Sequence, residues 1–260
     1  MYSNKFNKVA PGFGVGEWAG FSYNCGVGCS HNCRYCYARR FFVQEKLVAS
    51  DNDWANESPR PNKVNIHQKA DKRVMFPSTH DITPVYLDIY CQALYNILVA
   101  GNDVLLVSKP HFECIEHICR EFSAFKTQME FRFTIGSINP EVTTFWEPGA
   151  PLPEERMCCL QYATEQGYQT SVSMEPMLEG KDAAIETFNA LAPLTNGTIW
   201  IGMMNDLDER VAAAGDEIRD AVAHVKQLQS RDEIITLHSL LRHEPKVRWK
   251  DSIKNVVRYL

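Results

Sequence analysis

Short apolar segments and amphipathic segments alternate along the chain, mostly after a polar, loop-like stretch at 50–70. The apolar segments predict strands at Phe21–Asn24, Arg73–Phe76, Val104–Val107, Phe131–Ile135, Thr170–Met174 and Thr198–Gly202. The amphipathic segments predict helices at Tyr37–Leu47, Pro84–Ala100, Phe112–Phe122, Glu154–Glu165, Ala183–Leu191 and Leu207–Leu228. The pattern therefore predicts six β/α units in succession.

Repeated β/α units are typical of a parallel sheet with right-handed crossovers. We therefore predict an α/β fold, a partial (β/α)6 TIM-type barrel with parallel strands. The expected division is an N-terminal extension at 1–18, the barrel at 19–230 and a basic C-terminal tail at 231–260. Active-site residues of such barrels lie at the carboxyl ends of the strands, so the residues that follow each predicted strand are the candidates.

The composition indicates a soluble globular protein. Of the 260 residues, 45% are hydrophobic and 23% are charged, which excludes a disordered chain. The net charge of −5 argues against nucleic-acid binding by the whole surface, although a local basic groove stays possible. The sequence contains neither a membrane-length apolar run nor the apolar core of a signal peptide, so we predict a cytoplasmic protein without membrane contact.

The most informative chemistry lies in a short cysteine loop. Cys29, Cys33 and Cys36 are spaced C-x3-C-x2-C, and their thiolates can surround one iron–sulfur cluster. Three ligands leave the fourth iron of a [4Fe–4S] cluster open. A zinc site is the alternative, with Cys25 or His31 as the fourth ligand. For Cys25 three roles are open: a buried thiol, a redox-active or hydrogen-donating thiol, or a ligand.

This loop resembles the signature of radical S-adenosylmethionine (radical SAM) enzymes. The resemblance rests on the cysteine spacing, on Tyr35 before the last cysteine, and on the following Tyr37-Ala38-Arg39-Arg40, which is similar to the spore photoproduct lyase-like (DNA repair photolyase-like) branch. It implies a [4Fe–4S] cluster that binds SAM and cleaves it to a 5′-deoxyadenosyl radical, which abstracts hydrogen from a substrate. It also implies an external electron donor of flavodoxin or ferredoxin type.

The same resemblance, which spans roughly residues 20–205, assigns the residues at the strand ends. It implies that SAM contacts Tyr35, Thr79, His80, Asp81, Lys109, Thr134 and Asn205. Thr79 to Asp81 would meet the amino group, and Lys109 the carboxylate. The segment Phe145–Pro151 is similar to a family loop motif and would shape the loop after the fourth predicted strand. Simpler roles are an N-cap for Asp81, a surface position for Lys109 and a β-forming residue for Thr134.

Cys25, Tyr37 and Glu175 are the candidate catalytic residues. Glu175 follows a predicted strand, where its carboxylate would contact the substrate, contact a SAM hydroxyl, or act only as a structural acceptor. Ser78 stands where the lyase has a hydrogen-donating cysteine, and its O–H bond is too strong to supply hydrogen to a carbon radical. We therefore do not expect the reaction of the lyase itself. Cys25, Cys91 or a tyrosine would replace that donor, or the reaction would need none.

The substrate hypotheses follow from the resemblance and from the tail. A radical SAM enzyme acting on a nucleic-acid base or nucleotide, by modification, isomerisation or repair, is the leading prediction. The basic residues of the tail, with Trp249 among them, would track a phosphate backbone or would simply be a solvated amphipathic helix. The alternatives are a radical SAM enzyme acting on a peptide or small metabolite, and a non-catalytic iron–sulfur or zinc-binding partner protein.

Overall fold

The computed structural model describes residues 4–12, 14–211 and 215–258. Its strands are β1 (Asn7–Lys8), β2 (Phe21–Ser22), β3 (Gly26–Val27), β4 (Ser58–Pro59), β5 (Val74–Phe76), β6 (Val104–Ser108), β7 (Met129–Thr134), β8 (Gln169–Met174), β9 (Ile199–Ile201) and β10 (Val247–Trp249). Its α-helices are α1 (Tyr37–Gln44), α2 (Leu87–Val99), α3 (Phe112–Glu121), α4 (Pro140–Trp146), α5 (Pro153–Glu165), α6 (Lys181–Leu191), α7 (Leu207–Arg210), α8 (Asp216–Leu228), α9 (Arg231–Leu241) and α10 (Asp251–Val257).

One sheet contains most of the strands, in the order β1-β2-β5-β6-β7-β8-β9-β10. β1 pairs antiparallel with β2, and the other neighbours pair in parallel. Each of the six predicted strands is present, so the predicted α/β fold with a parallel, partial-barrel sheet is confirmed. β10 adds one more parallel strand beside β9, with Val247 opposite Ile199.

The helices cover the sheet with faces that the sequence pattern makes apolar. On α3, Cys114, Ile115, Ile118 and Cys119 are buried together. Spacings of three and four residues place side chains on one face of a helix. The cysteines outside the loop therefore include members of an ordinary hydrophobic core. No helix in the described ranges is both long and apolar enough to span a membrane.

The C-terminal segment 231–260 is not a tail, as far as it is described. Ile234, Leu237, Val247 and Ile253 belong to the same buried cluster as the strands β5 to β9. The apolar surface that covers the end of the sheet comes from Ile234 and Leu237 on α9, Val247 on β10 and Ile253 on α10. Lys250 is also buried, so the basic residues of this segment do not lie on one solvated helix.

The predicted helix Leu207–Leu228 is two helices, α7 and α8. Gly215 occupies the N-cap position of α8, with Asp216 and Glu217 in the first turn. Glycine is a poor interior residue of a helix, and acidic residues favour a helix N-terminus, so a new helix begins here. Residues 212–214 lie outside the described part of the chain.

Candidate active site

A cavity of about 530 Å³ opens at the carboxyl ends of β5 to β9. This is the edge of the sheet at which parallel-barrel enzymes carry out their chemistry. The predicted site residues that line it are Cys29, Cys33, Tyr35, Cys36, Tyr37, Thr79, His80, Asp81, Lys109, Thr134, Glu175 and Asn205. The fold therefore brings together residues that are far apart in sequence, and it does so in the way that the strand-end argument predicts.

The cysteine loop lies on one side of the cavity and is anchored by its backbone. The Cys29 N–H donates to the Trp54 carbonyl at 2.9 Å. Cys36 is the N-cap of α1, where its Sγ accepts from the Arg39 N–H at 3.5 Å. Gly28 has a φ of +78°, and a Cβ there would lie 2.7 Å from the Asn56 carbonyl oxygen. Glycine is therefore required where the loop turns toward the cavity.

The loop after β7 holds the cysteine loop in place. The Gly149 N–H donates to the His31 carbonyl at 3.0 Å, and the Arg34 N–H donates to the Trp146 carbonyl at 2.8 Å. A Cβ on Gly149 would lie 2.1 Å from the carbonyl oxygen of the residue before His31. The segment Phe145–Pro151, which the sequence assigned only to shaping its own loop, thus packs directly on the cysteine loop.

A buried carboxylate links the two loops electrostatically. Glu147 accepts a hydrogen bond from the Tyr35 hydroxyl and forms an ion pair with Arg156 at 2.5 Å. The Lys109 Nζ lies 3.9 Å from the same carboxylate and 5.7 Å from the centre of the Tyr35 ring. Burial opposes ionisation of Glu147, but Arg156 and Lys109 outweigh it and lower the pKa of the carboxyl. Lys109 is therefore a largely covered cation at the cavity wall, with its side chain 14% exposed, not an open surface lysine.

Asp81 is held ionised by its surroundings. Its carboxylate accepts hydrogen bonds from the Ile82 N–H at 2.9 Å, the Lys109 N–H at 3.0 Å and the Ser108 hydroxyl. The His31 Nδ1 lies 3.1 Å away. Burial alone would raise the pKa of Asp81, but His31, Lys109 and the Ser108 hydrogen bond together outweigh it and lower the pKa. These contacts cross to β6, so the simpler role of Asp81 as an N-cap does not describe its position.

His80 supports the backbone instead of facing the cavity with a free nitrogen. Its Nε2 accepts from the Cys25 N–H at 3.2 Å, and its Nδ1 lies 2.9 Å from the Asp81 carbonyl. Burial lowers the pKa of His80 to about 4, so the ring is neutral at pH 7. Cys25 is fully buried, and burial raises the pKa of its thiol to about 12. It lies outside the cavity lining, because the loop turns its side chain into the core.

The other alternative thiol donor, Cys91, also lies away from the cavity. It is buried on α2, where its Sγ approaches His117 and Glu121 of α3 to within 4.8 Å. Tyr37, in contrast, lines the cavity and donates its hydroxyl to the Ser78 carbonyl. The position therefore favours Tyr37 over the two thiols as a residue near the reacting groups.

The chemical groups of the cavity wall suit a metal cluster bound by thiolates and a polar small molecule bound beside it. Burial raises the pKa of the Cys33 thiol to about 12 and raises that of Cys29 as well, so thiolates here need a cationic partner. The buried hydroxyl oxygens of Thr79 and Ser173 have no hydrogen-bond partner in the described chain. Leaving such a group unpaired costs about 1–3 kcal/mol, so a ligand that bonds to them is stabilised here.

Another part of the cavity wall comes from residues that the sequence reasoning missed. Val9, Ala10, Val15 and Trp18 line it, although they precede the predicted barrel. Lys250, which follows β10, contacts Glu175 behind this wall. Lys250 follows a strand, as Lys109 does, so the strand-end argument could have identified it. Because β10 was not predicted from the sequence, Lys250 was not considered.

Three comparisons place this architecture among known proteins. No protein-family model matches the chain. An uncharacterised protein, ORF301, of Acidianus two-tailed virus is 25% identical over 170 residues, which are 61% of this chain and 56% of that protein. The chain thus spans little more than half the length of this curated relative.

The solved structures decide the fold. Spore photoproduct lyase complexed with dinucleoside spore photoproduct matches with a TM-score of 0.60 and 16% identity, over 95% of this chain and 79% of the lyase. The chain has the fold of spore photoproduct lyase. A mutant of that lyase with bound AdoMet and dinucleoside spore photoproduct gives a TM-score of 0.59 at 15% identity, with the same coverage. Streptococcus suis SuiB bound to S-adenosylmethionine matches at 0.52 and 10% identity, over 88% of this chain and 48% of SuiB.

Proposed function

We propose that this protein is a radical SAM enzyme whose substrate is a nucleic-acid base or nucleotide. The observation that carries the proposal is the convergence of three thiols with Thr79, Asp81 and Lys109 in one cavity. Cys29, Cys33 and Cys36 would hold a [4Fe–4S] cluster beside the SAM site. When bound and reduced, the cluster and SAM together supply a 5′-deoxyadenosyl radical that abstracts hydrogen from the substrate.

The chain's own groups suit the two charged ends of SAM. The ionised Asp81, whose oxygens already accept from the chain, would attract the amino group by its charge, and the unpaired Thr79 hydroxyl oxygen in the same lining would accept from it. The Lys109 Nζ is 3.9 Å from Glu147, which is too long for a hydrogen bond, so this pair leaves N–H donors for the SAM carboxylate. Thr134 and Asn205, farther along the sheet edge, would bond to the ribose and adenine.

The reaction should differ from that of spore photoproduct lyase. Ser78 accepts a hydrogen bond from the Asn24 amide at 2.9 Å, and its hydroxyl cannot deliver hydrogen to a carbon radical. Cys25 and Cys91 lie outside the lining. We therefore propose a base modification or isomerisation that proceeds without a thiol hydrogen donor, with Tyr37 as a phenol in the cavity lining.

The nucleic-acid assignment is supported by the lyase structures, three of which contain the dinucleoside spore photoproduct in the same fold. An external carrier of flavodoxin or ferredoxin type would supply the electron. A peptide or small-metabolite substrate is the alternative outcome of the substrate test below.

The first experiment is SAM cleavage by the anaerobically reconstituted full chain. Dithionite and SAM are added, and 5′-deoxyadenosine, iron and zinc are measured. Cys33→Ala should lose both iron and 5′-deoxyadenosine, whereas Cys119→Ser, which alters a buried cysteine of α3, should keep both. Zinc in place of iron, or 5′-deoxyadenosine that persists in Cys33→Ala, would refute the proposal and favour a metal-binding partner protein.

The second experiment tests the substrate. Single-stranded oligodeoxynucleotides deuterated in the bases and sugars are added under the same conditions, and deuterium in 5′-deoxyadenosine is measured by mass spectrometry. Transfer supports the nucleic-acid assignment, and binding should weaken as salt rises. Cleavage of SAM with no transfer from any oligonucleotide, and no salt-dependent binding, would refute that assignment.

A further inference from the structure

Lys250 is a buried cation that joins three distant parts of the chain. Its Nζ lies 2.6 Å from Glu17, 3.2 Å from Glu175 and 2.9 Å from the Gly14 carbonyl. An ammonium group has three N–H donors, so these acceptors account for all of them. The Lys250 side chain is 2% exposed. Such a cation is stable in the interior only because these partners surround it.

The packing around Lys250 is as specific as its hydrogen bonds. Its Nζ lies 4.0 Å from the centre of the Trp18 ring, within the range of a cation–π contact. Glycine at position 202 allows Lys250 and Glu175 to approach each other, because a Cβ there would lie 2.9 Å from the Glu175 Cγ and 3.0 Å from the Lys250 Cβ. Removal of Lys250 would therefore take one contact from Trp18, which also packs on Arg132 and Trp200, and the ion pair from Glu175.

Glu175 lies on the side of the cavity away from the proposed SAM amino-acid site. Asp81 and Lys109 follow β5 and β6, whereas Glu175 follows β8. Two strands, β6 and β7, separate β5 from β8 in the sheet. Val15 and Trp18 line the same cavity. The wall that they form with Glu175 is therefore available to a second molecule beside SAM.

We infer that Lys250 is a positioning residue that, through its bonds to Glu17 and Glu175, holds Trp18 and Glu175 in place as the substrate-facing wall of the cavity. This inference rests on the proposed function. The substrate group that fits this wall carries an N–H donor for the Glu175 carboxylate and an apolar or planar face for Val15 and Trp18. Nucleobases and amides both have this chemistry.

Charge explains why Lys250 matters more than its neighbour Lys254. Glu17 is 5% exposed and Glu175 is 23% exposed, so without Lys250 two partly buried carboxylates would share one site. Lys254 also reaches Glu17, at 3.4 Å, but it is 53% exposed and pairs with Asp251 as well. Lys254→Met is therefore a matched control, since it removes an exposed contact to the same carboxylate.

The test is hydrogen exchange of the reconstituted full chain in Lys250→Met, Lys254→Met and wild type. Lys250→Met should speed exchange at residues 14–20 by about 10- to 100-fold, the range for loss of hydrogen bonds to a charged group, while β7 keeps its protection. Lys254→Met should leave both unchanged. Unchanged exchange at 14–20 in Lys250→Met, or an equal rise throughout the chain, would overturn the inference.

A second readout separates positioning from general stability. SAM affinity, measured by equilibrium dialysis, should be the same in Lys250→Met and wild type. The KM for an oligonucleotide that gives deuterium transfer to 5′-deoxyadenosine should rise about tenfold or more in Lys250→Met. A tenfold loss of SAM affinity as well would refute a role confined to the substrate wall. If Lys250→Met does not fold, Glu17→Gln tests the same bond with the cation retained. If no oligonucleotide is a substrate, the exchange result still decides this inference.

Discussion

Replacement of Glu147 by glutamine tests whether charge pairing holds the cysteine loop. The substitution keeps the shape of the side chain and an oxygen that can accept from the Tyr35 hydroxyl. It removes the negative charge, however, and the Arg156 side chain is only 1% exposed. The variant therefore leaves the buried guanidinium of Arg156 without its carboxylate partner and removes one of the two acidic side chains near Lys109.

The expected cost follows from that burial. Breaking a buried ion pair by removing one partner costs about 3–5 kcal/mol, because the remaining charge cannot regain its hydration. For a chain of this size, each kcal/mol lowers the melting temperature by about 2–4 °C. Glu147→Gln should thus lower it by roughly 6–20 °C. The double variant Glu147→Leu with Arg156→Met removes both charges and should recover part of that loss.

Thermal and urea unfolding of the metal-free chain measure the effect. Lys226→Met is the control, because it breaks a pair with Asp208 in which the two side chains are 50% and 74% exposed. Such surface pairs contribute about 0–1 kcal/mol. A cost for Glu147→Gln no larger than that of Lys226→Met would refute the charge argument. A double variant less stable than Glu147→Gln would refute it as well.

Three further predictions concern the cavity and the loop. Thr79→Val should leave the melting temperature nearly unchanged but weaken SAM binding in equilibrium dialysis, and equal affinity would exclude a contact. The pKa of His80 in the folded state lies below its ordinary value, so the stability that it contributes is lost as the pH falls from 6.5 to about 4. His80→Asn should therefore make the free energy of unfolding less dependent on pH in that range. An unchanged pH dependence in urea unfolding would contradict this. Gly149→Ala should lower iron content, because its Cβ would collide with the loop carbonyl, whereas Gly215→Ala, with open space around it, should not.

Four of the cavity-lining residues could be predicted from the sequence by a single rule, the alignment of strand ends in a parallel sheet. Parallel strands align their carboxyl ends, so Asp81, Lys109, Thr134 and Glu175 meet because each lies at or beyond the carboxyl end of a strand of the same sheet. The strands were predictable because parallel strands are buried on both faces and are therefore apolar. Local periodicity is sufficient to find such strands, and the alignment then needs no information about long-range contacts.

The rest of the site depends on contacts between distant residues, which periodicity does not encode. Nothing local to Glu147 shows that it accepts from Tyr35, and nothing local to Glu17 shows that it pairs with Lys250. The burial of Cys25 is a further example, because its side chain direction depends on how the loop meets His80. Spacing alone left its role open for this reason.

The bond between Lys250 and Glu17 has a consequence for synthesis of the protein on the ribosome. Cys36 is made early, but Lys250 emerges roughly 210 residues later, which is roughly 10–40 s at ordinary translation rates. During that interval the nascent chain carries its three loop cysteines without the lysine that fixes Glu17 and Trp18. The wall that contains Trp18 and Glu175 can therefore be completed only after β10 has left the ribosome, long after the loop cysteines.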